Sequence, residues 1–150
     1  MGLESAKTDL KWAIVGRYPY RLIHALAEDQ VLWIRYAAAL TERPLRVWQD
    51  VGVGPWPSVG ATDGDPYGHS WRRLNQRRID VVIEYPDRVD LVEVHRSPAA
   101  ASVGRLLHYR KLWQMDDPAK KPVRLVLVAS FPEGAIAEIC QDAGISYVVV

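Results

Sequence analysis

Residues 78–95 read RIDVVIEYPDRVDLVEVH. This stretch describes two strands and a tight turn. Ile79, Val81, Ile83 and Tyr85 alternate along one side of the first strand, and Val89 and Leu91 lead the second. Pro86-Asp87 punctuates between them, proline being suited to the second position of a type I turn. Symmetry about that dipeptide sets Asp80 directly opposite Glu93. Opposed residues of an antiparallel pair show their side chains on one face, roughly 5 Å apart at Cβ. His95, two residues beyond Glu93, shares that face. Two carboxyl groups and an imidazole are therefore expected to meet at one end of an apolar hairpin.

Like charges at that separation repel, and apolar walls raise the cost of ionising both. A divalent cation between them resolves the conflict, and oxygen-only ligation suits Mg2+ or Mn2+ better than zinc. The alternative is structural, with Asp80 capping the strand and Glu93 paired to an arginine such as Arg78. Both readings stand at this level. A one-residue bulge would displace the register on which the first depends.

The chain has 150 residues, of which 49% are apolar, enough for one domain spanning 1–150 with a substantial core. A net charge of +1 argues against coating nucleic acid through overall charge and leaves room for a local basic patch. Cys140 is the single cysteine, so no internal disulfide forms and a reducing compartment fits. Its helical context, AIAEIC, reads as core. No apolar run approaches the roughly 20 residues of a membrane helix, and MGLESAKTDLKW lacks a signal-peptide pattern, so a cytoplasmic protein without membrane contact is expected.

Residues 21–41 carry apolar positions at three- and four-residue steps, which predicts a helix. Glu28-Asp29 interrupts the pattern and Pro44 closes it. Residues 45–51, LRVWQDV, alternate as a first strand. A long connection rich in glycine, proline and aspartate follows; such connections are usually functional or mobile. It ends in WRRLNQRR, where Arg72, Arg73, Arg77 and Arg78 surround Trp71. Arginines with an interleaved aromatic suit contact with phosphates and bases, although a solvated strand with salt bridges explains them equally. Beyond the hairpin, Ser97-Pro98 is a helix start, serine as N-cap and proline at the first helical position. Val103, Leu106, Tyr109 and Trp113 form the packing stripe of that helix, with Arg105, His108 and Lys111 on its other side. Residues 123–130, VRLVLVAS, read as a strand buried on both faces. A short helix closed by Gly144 and a last strand, ISYVVV, follow. Strand-helix-strand order implies parallel pairing. The fold class expected is α/β: a mixed sheet, made of a three-stranded meander plus C-terminal strands, flanked by helices.

Asp80 together with Glu93-Val94-His95 resembles the signature of the PD-(D/E)xK nuclease superfamily, an acid on the second core strand and an acid-x-lysine on the third. The resemblance implies a restriction-endonuclease-like core of helix, three-stranded meander, helix and further strand. It also implies magnesium- or manganese-dependent phosphodiester cleavage, with DNA as partner. Asp80 and Glu93 would be metal ligands. His95 falls where the family has lysine, a departure, because histidine is shorter and lacks a flexible ammonium head. It would serve as base or water-positioning group, or mark a site that has lost activity.

Many members of that superfamily also place a glutamate on the first helix, and Glu28 stands at the matching distance. Its alternative is an ordinary solvated charge. Arg105 and Tyr109, one turn apart, resemble the QxxxY helix motif of some branches, with arginine for glutamine; the implied role is DNA-backbone contact, and the alternative for Tyr109 is plain core. The expected function is a metal-dependent DNA endonuclease. The alternative is a catalytically inactive nuclease-fold module of a mobile element or phage that holds DNA or protein. A third reading is an assembly protein using exposed tryptophans at an interface. A homodimer is compatible with the resemblance, although no residue specifies one.

Overall fold

The computed structural model describes residues 7–8, 26–54, 77–116 and 121–150. Its elements are β1 (Lys7–Thr8), α1 (Ala27–Ala39), β2 (Arg46–Val53), β3 (Arg77–Glu84), β4 (Val89–Val94), α2 (Ala100–Asp116), β5 (Val123–Ala129), α3 (Gly134–Asp142) and β6 (Ile145–Val149). The strands form one sheet in sequence order. β1, β2, β3 and β4 pair antiparallel; β4, β5 and β6 pair parallel. This is the expected α/β architecture, a mixed sheet with a meander followed by parallel strands.

The helices divide between the two faces. Leu32, Trp33, Tyr36 and Ala37 of α1 pack on Val47, Val81, Ile83, Tyr85, Val92, Val94, Val126 and Val128. On the other face Val103, Leu106, Tyr109 and Trp113 of α2 join Ile136 and Cys140 of α3 over Trp48, Val82, Leu91, Leu125 and Leu127. The α2 stripe is the one its spacing predicts, and Cys140 is core. Burying each such aliphatic side chain contributes about 1.5–3 kcal/mol, so the two layers hold the sheet between them.

The hairpin register follows from its turn. Tyr85 N–H donates to the Arg88 carbonyl at 2.8 Å across Pro86-Asp87, and the ladder pairs Glu84 with Val89, Ile83 with Asp90, Val82 with Leu91 and Val81 with Val92. The next rung would set Asp80 against Glu93, as the symmetric turn requires.

Three local expectations are corrected. Ile79 does not continue the alternation of Val81, Ile83 and Tyr85; it lies in the core under α2 while the other three lie under α1. α1 begins at Ala27, so Glu28 and Asp29 form its first turn and do not interrupt a longer helix among the described residues. α2 begins at Ala100 and not at Ser97-Pro98; Ser97 N–H is spent on the His95 ring, and the Ser102 hydroxyl accepts from Ala99 N–H at the true start.

Candidate functional site

β2 and β3 keep one register from end to end, yet the rung of Asp50 and Asp80 is missing from their ladder. Asp50 adopts a φ of 51°, a left-handed conformation uncommon for a residue with a side chain. On one side of this rung Val47 and Val81 face α1; on the other, Val51 and Ile79 face α2. Both strands therefore change face at the same rung, with no residue gained or lost. The break leaves Asp80 unpaired in the ladder to β2, and the ladder to β4 stops one rung short of it.

Asp80 uses that opening. Its Oδ2 accepts from the backbone N–H of Val94 at 2.9 Å, replacing a strand-to-strand bond with a side-chain one. Glu93 lies on the α2 side of β4, alternating with Leu91, and is only 5% exposed. Arg105, from the second turn of α2, approaches it, with Nε 3.0 Å from Oε1. Among the described residues Glu93 Oε2 has no hydrogen-bond partner. An ionised carboxylate oxygen left bare in a buried place is costly.

The electrostatics follow. Burial, then the charge of Asp80, push Glu93 up to about 8, against the pull of Arg105. Burial pushes Asp80 up to about 6, opposed by the Val94 amide. Tyr109, one turn beyond Arg105 and buried, is shifted upward by burial and then by Glu93 and Asp80. Its hydroxyl therefore belongs to the same neighbourhood while its ring belongs to the core.

His95 caps the end of β4. Its backbone N–H donates to the Val128 carbonyl at 3.0 Å, and its Nδ1 accepts from Ser97 N–H at 3.2 Å. That bond assigns the ring hydrogen to Nε2 and makes the free edge of the ring a donor.

Glu28 points away. It is exposed and pairs with Arg96 at 2.9 Å on the surface, which is the solvated alternative. The helical acid turned to the site is its neighbour. Asp29 Oδ1 accepts from Arg96 N–H at 3.1 Å, and its charge acts on both Asp80 and Glu93. The signal was present: Asp29 precedes Trp33 by four residues and Tyr36 by seven, at the centre of the buried stripe of α1.

The arginines divide. Arg78 is turned inward, its Nε 2.6 Å from Asp50 Oδ1 and its Nη2 on the Asp50 carbonyl, so it is not the partner of Glu93. Arg77 is exposed, and its charge reaches Tyr109. Arg72, Arg73 and Trp71, with the rest of the long connection, lie outside the described residues.

The constellation is thus Asp80 and Glu93, with the charges of Asp29 and Arg105 acting on both and Tyr109 on α2 beside them; the contacts of His95 are with Val128 and Ser97 and not with either acid. Among the described residues, no group of three or more His, Cys, Asp and Glu side chains is placed to hold a metal ion. A cation here would rest on two carboxylates and water, the coordination Mg2+ favours. The bare Oε2 of Glu93 and the raised proton affinity of both acids fit a positive charge between them. Among the described residues no helix is long and apolar enough to cross a membrane. No family model, curated protein or solved structure matches this chain.

Proposed function

We propose that this protein is a metal-dependent phosphodiesterase acting on DNA, built on the restriction-endonuclease-like plan. The observation that carries the reading is the nearness of two buried acids just past the last rung of the β3–β4 ladder: Asp80 accepts from the amide of Val94, beside Glu93, its charge acts on Glu93, each holds its proton more tightly than an ordinary carboxyl group, and one oxygen of Glu93 is left bare among the described residues. The element order adds support: helix, three-stranded meander, helix on the opposite face, then a parallel strand.

Asp80 and Glu93 would hold Mg2+ or Mn2+. Such an ion, when bound, lowers the pKa of a coordinated water and stabilises charge on the phosphate undergoing attack. The protein's own groups do the rest. Glu93 is kept from bulk water by the α2 core, which strengthens its hold on a cation. His95 presents Nε2–H as a donor that orients a water or a phosphate oxygen; it lacks the reach of lysine. Asp29 adds negative potential without touching the ligands. Arg105 and Arg77 are cations whose charges reach this neighbourhood, suited to backbone phosphates.

The pairing of Arg105 with Glu93 favours a second reading. A guanidinium resting on Glu93, with histidine in the lysine position, also describes a site that holds nucleic acid and cuts nothing. Labelled single- and double-stranded oligonucleotides incubated with Mg2+, Mn2+ or EDTA separate the two. Metal-dependent fragments support the phosphodiesterase; retention without fragments supports the binding module; neither outcome leaves both without support.

A further inference from the structure

Arg105 differs from the other buried-acid partners in how it is held. Arg124 takes both oxygens of Asp90, and Arg78 takes the side chain and the backbone carbonyl of Asp50. Arg105 meets only Oε1 of Glu93, at 3.0 Å through Nε, and its side chain is 43% exposed against 7% for Glu93. Its other contact, Nη2 to Ser102 Oγ, is 3.5 Å long. The geometry is a half-solvated cation resting on a buried anion. Arg105 turns into water at little cost, and Glu93 does not. The arginine has not satisfied Glu93 either, since Oε2 remains bare.

We infer that Arg105 is an exchangeable counter-ion: it neutralises Glu93 while no divalent ion is bound, and gives Glu93 up when one arrives, its guanidinium turning outward to a phosphate of the nucleic acid. The inference rests on the reading of Asp80 and Glu93 as cation ligands. It explains how the site manages with histidine at position 95, because α2 supplies the positive charge that β4 lacks. The planar fork of arginine matches a phosphate as well as a carboxylate. One guanidinium does not serve both at once, so divalent ion and phosphate backbone assist each other's binding.

The test titrates Mn2+ alone, by calorimetry at pH 8, into the full chain and into Arg105→Gln, Arg105→Lys and Glu93→Gln, with circular dichroism as the check on folding. Arg105→Gln is expected to bind Mn2+ at least about fivefold more tightly than the parent, because the competing cation is gone. In parallel, retention of a duplex oligonucleotide is measured with and without Ca2+. Ca2+ should strengthen retention by the parent and leave Arg105→Gln unaffected. Arg105→Lys, which keeps the charge and loses the fork, should bind Mn2+ like the parent and hold the duplex less well with Ca2+ present. Equal or weaker Mn2+ binding by folded Arg105→Gln overturns the inference, as does parental duplex binding by Arg105→Lys. If Mn2+ binding depends on Glu93 and is indifferent to Arg105, only the inference falls. If Mn2+ binds the parent no better than Glu93→Gln, the cation site itself falls.

Discussion

Asp50 and Asp80 face each other across the one rung that β2 and β3 fail to make. Asp50 carries the left-handed backbone, at φ 51°, and Asp80 turns its carboxylate to the Val94 amide. The cost of the irregularity falls on Asp50, and its use falls to Asp80. Glycine tolerates this backbone and alanine does not. Asp50→Ala should therefore be less stable than Asp50→Gly by about 1 kcal/mol, both losing the side-chain bond to Arg78. Urea midpoints of the two variants, compared directly, check this; equal midpoints would show that the conformation carries no strain.

The stability of the metal-free protein should fall as pH rises. In the unfolded chain both carboxyl groups titrate near about 4; in the folded one Asp80 sits at about 6 and Glu93 at about 8. Between these limits the folded state binds more protons at these two groups, so their contribution to stability is fully present below about 4, declines through neutrality and is lost above about 8. Tm measured from pH 5 to 9 in EDTA should decline in the parent and flatten above pH 6 in Glu93→Gln. At pH 8 that variant should be the more stable by roughly 1–3 kcal/mol, having lost a buried charge that Arg105 compensates only in part. A parent Tm that climbs over this range contradicts the assignment.

Asp29, not Glu28, should matter to the site. Asp29→Asn removes a negative charge felt by both Asp80 and Glu93 and should weaken Mn2+ binding several-fold. Glu28→Gln breaks a surface pair with Arg96 and should change stability by less than about 0.5 kcal/mol and Mn2+ binding not at all. Calorimetry on the two variants side by side decides it.

A second charge cluster lies on the α1 face. Asp90 is wholly buried and accepts from Arg124 through both oxygens and from Arg88 Nε at 3.2 Å. Arg88 also stacks over the Tyr85 ring, 3.9 Å from its centre. Asp90→Ala strands the Arg124 guanidinium, while Arg88 keeps Glu42 at 2.8 Å, and should cost roughly 2–4 kcal/mol in chemical denaturation, with an unchanged dependence on denaturant. A loss below about 0.5 kcal/mol would mean the arginines are adequately solvated without it.

Much of this was legible in the chain. Pro86-Asp87 centres the hairpin, and the register that pairs Val81 with Val92 follows by counting. Val103, Leu106, Tyr109 and Trp113 are spaced as one helical stripe and are buried as one. What was not legible depended on events at single residues or across long separations. The face change at Asp80 needs a left-handed residue on the neighbouring strand, and an aspartate gives weaker warning of that than a glycine would. Ser97 before Pro98 has the sequence of a cap, but the helix starts at Ala100, where Ser102 Oγ accepts from Ala99 N–H. Asp90 and Arg124 are 34 positions apart, so nothing local marks them as partners. Glu28 stands at the matching distance from the strand, but the phase of the buried stripe selects Asp29.

The most direct measurement is the nicking of supercoiled plasmid in Mn2+ by the full chain and by Glu93→Gln, purified side by side and confirmed folded. The account predicts open-circular and linear products from the parent, none with EDTA, and at least about a hundredfold less from the variant. Equal cleavage by both proteins, or intact plasmid with a parent shown to bind Mn2+ through Glu93, would contradict it.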